Sequence, residues 1–132
     1  MDQERLNDAL VEASEWGNIE IVKLLLQDGA DISCMSNDRL HRVSPLTAAI
    51  YENDTDMAMF LIENGADVHS TGYGDWTAVM VASLMNNTKI IKCLLKKGVD
   101  LTYETYRGST ALKVAIRNNN TEAKKLLEAH IA

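Results

Sequence analysis

Three six-residue stretches of similar sequence recur along the chain at a constant spacing of 33 residues. They are residues 44–49 (SPLTAA), 77–82 (TAVMVA) and 110–115 (TALKVA), and each begins with a serine or a threonine. A hydroxyl residue directly before an apolar run is a typical helix N-cap. A fixed period of this size indicates a chain built from stacked structural repeats.

A second stretch follows the first two of these after 17 residues, at 61–67 (LIENGAD) and 94–100 (LLKKGVD). An earlier copy stands at 25–31 (LLQDGAD), and counting back from it places a degenerate first repeat around residues 8–10 (DAL). The glycine in each copy comes just after an apolar helical pattern, where a left-handed residue can end the helix. Leu46, Ala49 and Ile50 fall on one helical face, as do Met57, Phe60 and Leu61, which fits two short antiparallel helices in each repeat.

These strings resemble the ankyrin repeat, in which T-P-L-H-x-A-A is followed by a second helix ending in L-L-L-x-x-G-A-D. The resemblance covers about residues 6–132 and implies an all-α ankyrin-repeat solenoid: four helix-turn-helix repeats with hairpin-like finger loops. We expect one domain over 1–132, with repeats at about 6–38, 39–71, 72–104 and 105–132. Pro45 alone keeps the motif proline, and the motif histidine is replaced in every copy, by Thr47, Met80 and Lys113.

The turn between the two helices of each repeat has its own pattern. The family usually has glycine there, and this chain has Gly17 followed by Asn53, Asn86 and Asn119. Asparagine is the most common substitute for glycine in the left-handed region, so the sequence predicts the same backbone at all four. The residues two positions on are predicted to N-cap the second helices: Thr55, Thr88 and Thr121.

Charge is unevenly distributed along the chain, whose net charge is −6. Residues 1–76 carry fifteen acidic and four basic side chains, and residues 77–132 carry four acidic and nine basic ones. This uneven distribution is either neutral variation of charged residues on solvent-exposed faces or a means of steering a partner whose own charge is polarised. The first repeat opens with Asp8, Glu12 and Glu15 and the last carries Lys124 and Glu128, so we expect polar outer ends and a complete, soluble, monomeric domain.

No apolar run is long enough to span a membrane, and the N-terminus is polar. Cys93 is predicted to be a buried free thiol and Cys34 to lie in a loop. Two reduced thiols favour a cytoplasmic location, with the nucleus or delivery into a host cytosol as alternatives.

No pattern of catalytic, cofactor-binding or metal-binding residues is present in the sequence. Its three histidines, His41, His69 and His130, fall in three different repeats, and none has a partner at metal-ligand spacing. Residues 72–74 (GYG) are predicted to lie at a hairpin tip rather than in a phosphate-binding loop. We therefore expect neither an enzyme nor a cofactor.

The resemblance implies a partner-binding groove made by the finger tips and the ends of the first helices. Its positions in this chain are Trp16, Arg39, His41, Tyr51, Glu52, Tyr73, Asp75, Trp76, Leu84, Met85, Tyr106, Arg107 and Arg117. Neighbouring positions assigned to the same face are Glu15, Leu40, Val43, Ser109 and Asn118.

Five of the seven aromatic residues of the chain fall on these positions. Aromatic residues and arginine dominate the energetics of most interfaces, although Trp76 alone would also fit packing between fingers, and Trp16 alone would fit a cover over the edge of the first repeat. Three extra residues between Gly29 and Gly65 lengthen the first finger, either as part of the binding face or as a neutral surface insertion.

The sequence thus predicts a protein–protein interaction module, acting as an adaptor, scaffold or inhibitor. The alternative is nucleic-acid or nucleotide binding by the basic C-terminal half, through Lys89, Lys92, Lys96 and Lys97 on one second helix and Lys124 and Lys125 on the next. Net charge makes nucleic acid the weaker hypothesis.

Overall fold

The protein is a row of antiparallel helix pairs, seen in a computed structural model that describes residues 2–36 and 42–132. The described residues form eight helices and one short two-stranded hairpin. The first helices of the pairs are α1 (Gln3–Trp16), α3 (Pro45–Tyr51), α5 (Ala78–Leu84) and α7 (Ala111–Arg117). The second helices are α2 (Ile19–Gln27), α4 (Thr55–Glu63), α6 (Thr88–Lys96) and α8 (Thr121–Ile131).

The pairs stack in the order of the sequence. Each first helix packs against its own second helix and against the first helix of the next pair, and α4, α6 and α8 also pack in a row. The core lies between successive pairs, where small side chains let the backbones approach closely: Ala49, Ala82 and Ala115 are fully buried. Leu46 and Ile50 of α3 are buried there as well.

The hairpin consists of β1 (Thr71–Tyr73) and β2 (Trp76–Thr77), which are antiparallel and joined by a turn at Gly74 and Asp75. It is attached to the start of α3, because the amide of Ser44 donates to the carbonyl of Gly72 at 2.8 Å and the Thr47 hydroxyl donates to the same oxygen. A Cβ at Gly72 would lie 2.6 Å from Ser44 Oγ and 2.7 Å from Thr47 Cγ2. Thr47 stands where the motif has histidine, and it makes a hydrogen bond between neighbouring repeats.

The turn prediction is confirmed for the asparagines: φ is 58° at Asn53, 54° at Asn86 and 56° at Asn119. The prediction that threonines cap the second helices is wrong by one residue. Asp54 and Asn87 are the N-caps, and their side chains accept from the amides of Met57 and Ile90 at 3.1 Å. The threonines follow as the first helical residues because the Asp54 carboxylate and the Asn87 side-chain amide oxygen ahead of them already accept from an unpaired backbone amide of the first turn.

Side chains in these turns also join successive pairs. The Asn87 side-chain amide donates to Asn53 Oδ1 at 2.9 Å, and that of Asn120 donates to the carbonyls of Ser83 and Leu84 at 2.7 and 2.9 Å. The amide of Ala123 donates to Asn86 Oδ1 at 3.0 Å. The turns are therefore both helix ends and connectors between repeats.

The observed exposure of individual side chains corrects two further expectations. The outer face of the first pair is not uniformly polar, because Trp16, Ile21 and Leu24 are exposed on it. Cys93 is only half-buried, and Cys34 is the buried thiol instead. Burial, together with the nearby Asp31 carboxylate, raises the pKa of the Cys34 thiol to about 11.

Substitutions at two turn asparagines distinguish the effect of backbone conformation on stability from the effect of a hydrogen bond. Replacing Asn119 with alanine should lower the free energy of unfolding by about 1 kcal/mol, because alanine lacks the short polar side chain by which asparagine tolerates positive φ, while Asn119→Gly should change it by less than about 0.5 kcal/mol. At Asn86 even the glycine variant should lose about 0.5–1.5 kcal/mol, because the Ala123 amide loses its acceptor. Urea denaturation measures all three variants. Wild-type stability of Asn86→Gly would contradict a contribution from that hydrogen bond.

Candidate partner-binding surface

Two tyrosines predicted to face a partner lie against each other. Tyr51, at the end of α3, and Tyr73, in β1, stack with ring centroids 5.2 Å apart and ring planes 13° from parallel. Burial raises the pKa of the Tyr73 hydroxyl, and the neighbouring Tyr51 raises it further. Tyr73 is half-buried, whereas Tyr51 stays exposed at the rim of the stack. A helix end and the hairpin that follows it therefore share one aromatic surface.

The hairpin turn is tied to the loop before α7 by Asp75. Its backbone carbonyl accepts from the Tyr103 hydroxyl at 2.7 Å, and its carboxylate accepts from the Tyr106 amide at 3.1 Å. Trp76, next in the chain, is half-buried and packs against the core. Asp75 thus has a structural role within the chain, and it fixes the position of Tyr106 relative to the hairpin.

Tyr106 is the most exposed large apolar side chain of the described residues, with 98% of its surface accessible. Arg107 beside it is also exposed. Arg117, at the end of α7, donates from Nη2 to Ser109 Oγ at 2.7 Å. The Tyr51–Tyr73 ring stack and the hydrogen bond from the Tyr106 amide to Asp75 link three successive helix pairs. We call this continuous set of residues the aromatic row: Tyr51, Tyr73, Asp75, Trp76 and Tyr106.

The remaining predicted positions fall into four groups. Glu52 and Asn118 are exposed at the ends of their helices, and Leu84 and Met85 are half-buried. Val43 and Ser109 are buried, so placing them on the solvent-facing side was wrong. Val43 forms an isolated antiparallel bridge with Tyr73, which turns its side chain toward the core. Arg39, Leu40 and His41 lie outside the described residues.

Trp16 is separated from the aromatic row. It borders a depression of about 290 Å³ at the outer face of the first helix pair, together with Ile21 and Leu25 of α2. Trp16 has 79% of its surface accessible, whereas a side chain packed over the edge of the first repeat would be more buried. Glu15 precedes it on the same exposed side of α1.

Sequence reasoning missed two features of this surface. Tyr103 was left out of the predicted set, although its hydroxyl holds the hairpin turn, and no local pattern pointed to that contact. The exposed Ile21 was also missed. Its counterparts Met57 and Ile90 are equally apolar, so no pattern in the sequence distinguished it.

The basic side chains of the alternative hypothesis lie mainly on α6. Lys89, Lys92 and Lys96 are exposed there. Lys92 and Lys125 of α8 border a depression of about 250 Å³ that also includes Glu122. The Glu122 carboxylate in the lining would repel an anion, which makes the depression a poorer candidate for an anion-binding site.

Neither a metal site nor a membrane span is found in the part of the chain that the structure describes. Within residues 2–36 and 42–132, no three His, Cys, Asp or Glu side chains are grouped so that they could hold a metal ion. None of the helices in these residues combines the length and apolar character needed to cross a membrane.

The repeat geometry agrees with comparisons to known families. A family model described as ankyrin repeats, in three copies, matches residues 2–72 and 46–131. The chain belongs to the ankyrin-repeat family. Ankyrin repeats generally mediate protein–protein interactions, and the family is typically a non-catalytic binding module.

Two curated plant proteins are similar to part of this ankyrin-repeat chain. Potassium channel AKT2/3 of Arabidopsis thaliana is 38% identical over 61 residues, which is 46% of this chain. Potassium channel AKT1 of the same organism is 32% identical over 65 residues, or 49% of this chain. The aligned part spans 7% of the length of each channel, so the similarity concerns their repeats rather than the whole proteins.

Removing the Asp75 carboxylate should loosen the link between the hairpin and the last pair. Asp75→Ala should lower the free energy of unfolding by about 0.5–1.5 kcal/mol, because the Tyr106 amide loses its acceptor. Asp75→Asn keeps a side-chain oxygen and should lose less. Chemical denaturation measures both, with the exposed Glu63→Ala as a control, expected within about 0.5 kcal/mol of wild type. Equal stability of Asp75→Ala and the control would contradict this structural role.

Proposed function

We propose that this chain is a module of four ankyrin repeats that holds a partner protein on the surface formed by the aromatic row and the adjacent ends of the first helices. It acts by occupancy, as an adaptor, a scaffold or an inhibitor. The observation that carries the proposal is the continuity of the aromatic row. Aromatic residues from three successive pairs are positioned within the chain before any partner arrives: Tyr51 and Tyr73 stack on each other, and the backbone of Tyr106 is held by Asp75.

Fixed aromatic side chains favour binding for an energetic reason. Aromatic residues bury a large apolar area while losing few rotatable bonds, and residues of this kind contribute roughly 2 kcal/mol or more when they act as hot spots. The Tyr51–Tyr73 stack and the Asp75 bonds already restrict the side chains and loops concerned. Less conformational entropy is then lost on binding, so a larger part of the contact energy appears as affinity.

The charges along the proposed surface give it a direction. Glu52 and Asp75 lie toward the N-terminal side of the aromatic row, and Arg107 and Arg117 lie toward its C-terminal side. A partner with a basic patch followed by an acidic one would meet opposite charge at both ends, which speeds association and fixes orientation more than it raises affinity. An interface of standard size, about 800 Å² on each side, would cover several repeats.

The alternative function is nucleic-acid or nucleotide binding through α6 and α8. It is supported by the exposed Lys89, Lys92 and Lys96 on one helix. A contact set of this kind would neutralise phosphates and release counterions, so affinity would fall steeply with salt. Titration of a labelled oligonucleotide at low and moderate salt tests it. Absence of binding at low salt rejects it.

The partner-binding proposal is tested with variants of the most exposed aromatics. The wild-type protein captures partners from its native host, mass spectrometry identifies them, and affinity is then measured with the purified pair. Tyr51→Ala combined with Tyr106→Ala should weaken binding about tenfold or more, because two hot-spot side chains are lost. Both residues are exposed, so the fold should be retained.

The matched control is Lys92→Ala combined with Lys96→Ala on α6, which should leave the affinity within about threefold. Circular dichroism checks that all variants are folded. Binding that survives loss of the two tyrosines but disappears with the two lysines would contradict the proposed surface.

A further inference from the structure

The outer face of the first helix pair has the character of an internal repeat interface. Aligning the chain on its turn residues, Gly17, Asn53, Asn86 and Asn119, places Ile21 and Leu25 in register with residues that later pairs bury completely. Those residues are Met57, Ile90 and Ala123 for Ile21, and Leu61, Leu94 and Leu127 for Leu25. Ile21 itself is 44% accessible. In later pairs this position is covered by the preceding pair, and in the first pair it is open.

A depression of about 290 Å³ marks the same place. It is lined by Ala9 and Ala13 of α1 and by Ile21 and Leu25 of α2, with Trp16 at its edge. Ala13 is in register with the fully buried Ala49, Ala82 and Ala115, whose small size lets a neighbouring helix approach. The first pair therefore offers both the apolar side chains and the close-approach residue of a stacking surface. We call it the N-terminal face.

The last pair has a corresponding surface on its other side, the C-terminal face. Ile116 of α7 is exposed, although Ile50 and Ser83, in register with it, are fully buried against the next pair. Lys113 is also exposed, where Thr47 and Met80 are buried. Lys113, Ile116 and Arg117 line a depression of about 380 Å³.

The two faces carry opposite charge on their first helices. Helix α1 contains four acidic residues and one basic residue, whereas α7 contains Lys113 and Arg117 and no acidic residue. Glu12 lies on the N-terminal face in register with the buried Ala48, Val81 and Val114. Since first helices stack on first helices inside the molecule, stacking α7 of one copy on α1 of another would bring these charges together.

We propose that the chain self-associates head to tail, with the C-terminal face of one copy stacked on the N-terminal face of the next. The contact continues the repeat stacking from one molecule into another. This proposal replaces the expectation of a monomer and does not depend on the partner-binding surface. A second copy is the favoured occupant because it offers a face of matching repeat geometry together with the complementary charge.

The symmetry of such a contact determines what solution measurements should find. A face that binds a different face is heterologous, so a dimer still has one free face at each end and continues to grow. The average mass should therefore rise steadily with protein concentration and show no plateau at two chains. A contact between two identical N-terminal faces would instead stop at a dimer.

Sedimentation velocity or light scattering of the 132-residue chain over a concentration series provides the first measurement. The expected result is an average mass that increases with concentration and falls back as salt is added, because part of the attraction is between charges. A wild-type mass that stays at a single chain at every concentration, or that stops at two chains, overturns the proposal.

Charge reversal on each face provides the decisive measurement. Glu12→Lys places a basic side chain on the N-terminal face and Lys113→Glu places an acidic side chain on the C-terminal face, and each variant alone should associate more weakly than the wild type. Mixing the two should restore association, because Lys113 of one variant then meets Glu12 of the other, and the two substituted positions meet with opposite charges. The Lys113–Glu104 ion pair, at 3.9 Å between half-exposed side chains, is worth little. Its loss could not in any case be rescued by mixing.

Matched controls separate the end faces from the rest of the surface. Ile21→Ala should reduce the association constant several-fold, while Tyr51→Ala, whose side chain is equally accessible at 44%, should leave it unchanged. Lys89→Glu, on the interior helix α6, should also have no effect. Failure of the mixed reversal variants to associate, or an equal loss with Ile21→Ala and Tyr51→Ala, overturns the proposal.

Discussion

The structure depends on burial of the flat apolar surface between successive helix pairs. A single pair presents such a surface on both sides and cannot cover either one by itself, so each pair is stable only through its neighbours. The fully buried Ala49, Ala82 and Ala115 set the separation, because a larger side chain there would hold the first helices apart. Stability is therefore distributed along the row, and the position of every surface residue follows from the stacking.

The aromatic row illustrates how stacking positions a surface made of distant residues. Tyr51 ends one helix, Tyr73 belongs to the following hairpin, and Tyr106 precedes the last pair, yet one set of contacts joins them. The attachment of Gly72 to Ser44 and Thr47 is the basis of this arrangement, because it fixes the hairpin on the helix start beside it. The proposed binding face is thus held by the scaffold rather than by long flexible loops.

Sequence reasoning succeeded where a local pattern repeats and failed where the outcome depends on neighbours in space. The 33-residue period and the turn asparagines give the helix pairs and their left-handed turns directly. The capping threonines were misplaced because Asp54 and Asn87 compete for the same helix start, and spacing alone does not decide between adjacent candidates. Val43 was misplaced because its burial comes from a bridge to Tyr73. Ile21 has the same apolar character as its counterparts, and sequence cannot tell whether another pair covers it.

The polar contacts between turns have a consequence for how such a chain can change in length. Asn87 reaches back to Asn53, Asn120 reaches back to the end of α5, and Asn86 accepts from the start of α8. Each connection joins one helix pair to the next through an asparagine at one of two adjacent places in the period. A gene segment encoding 33 residues could therefore be duplicated in frame between two of these turns, and the inserted unit would find its hydrogen-bonding partners on both sides. Such a chain can therefore change in length by one whole repeat at a time.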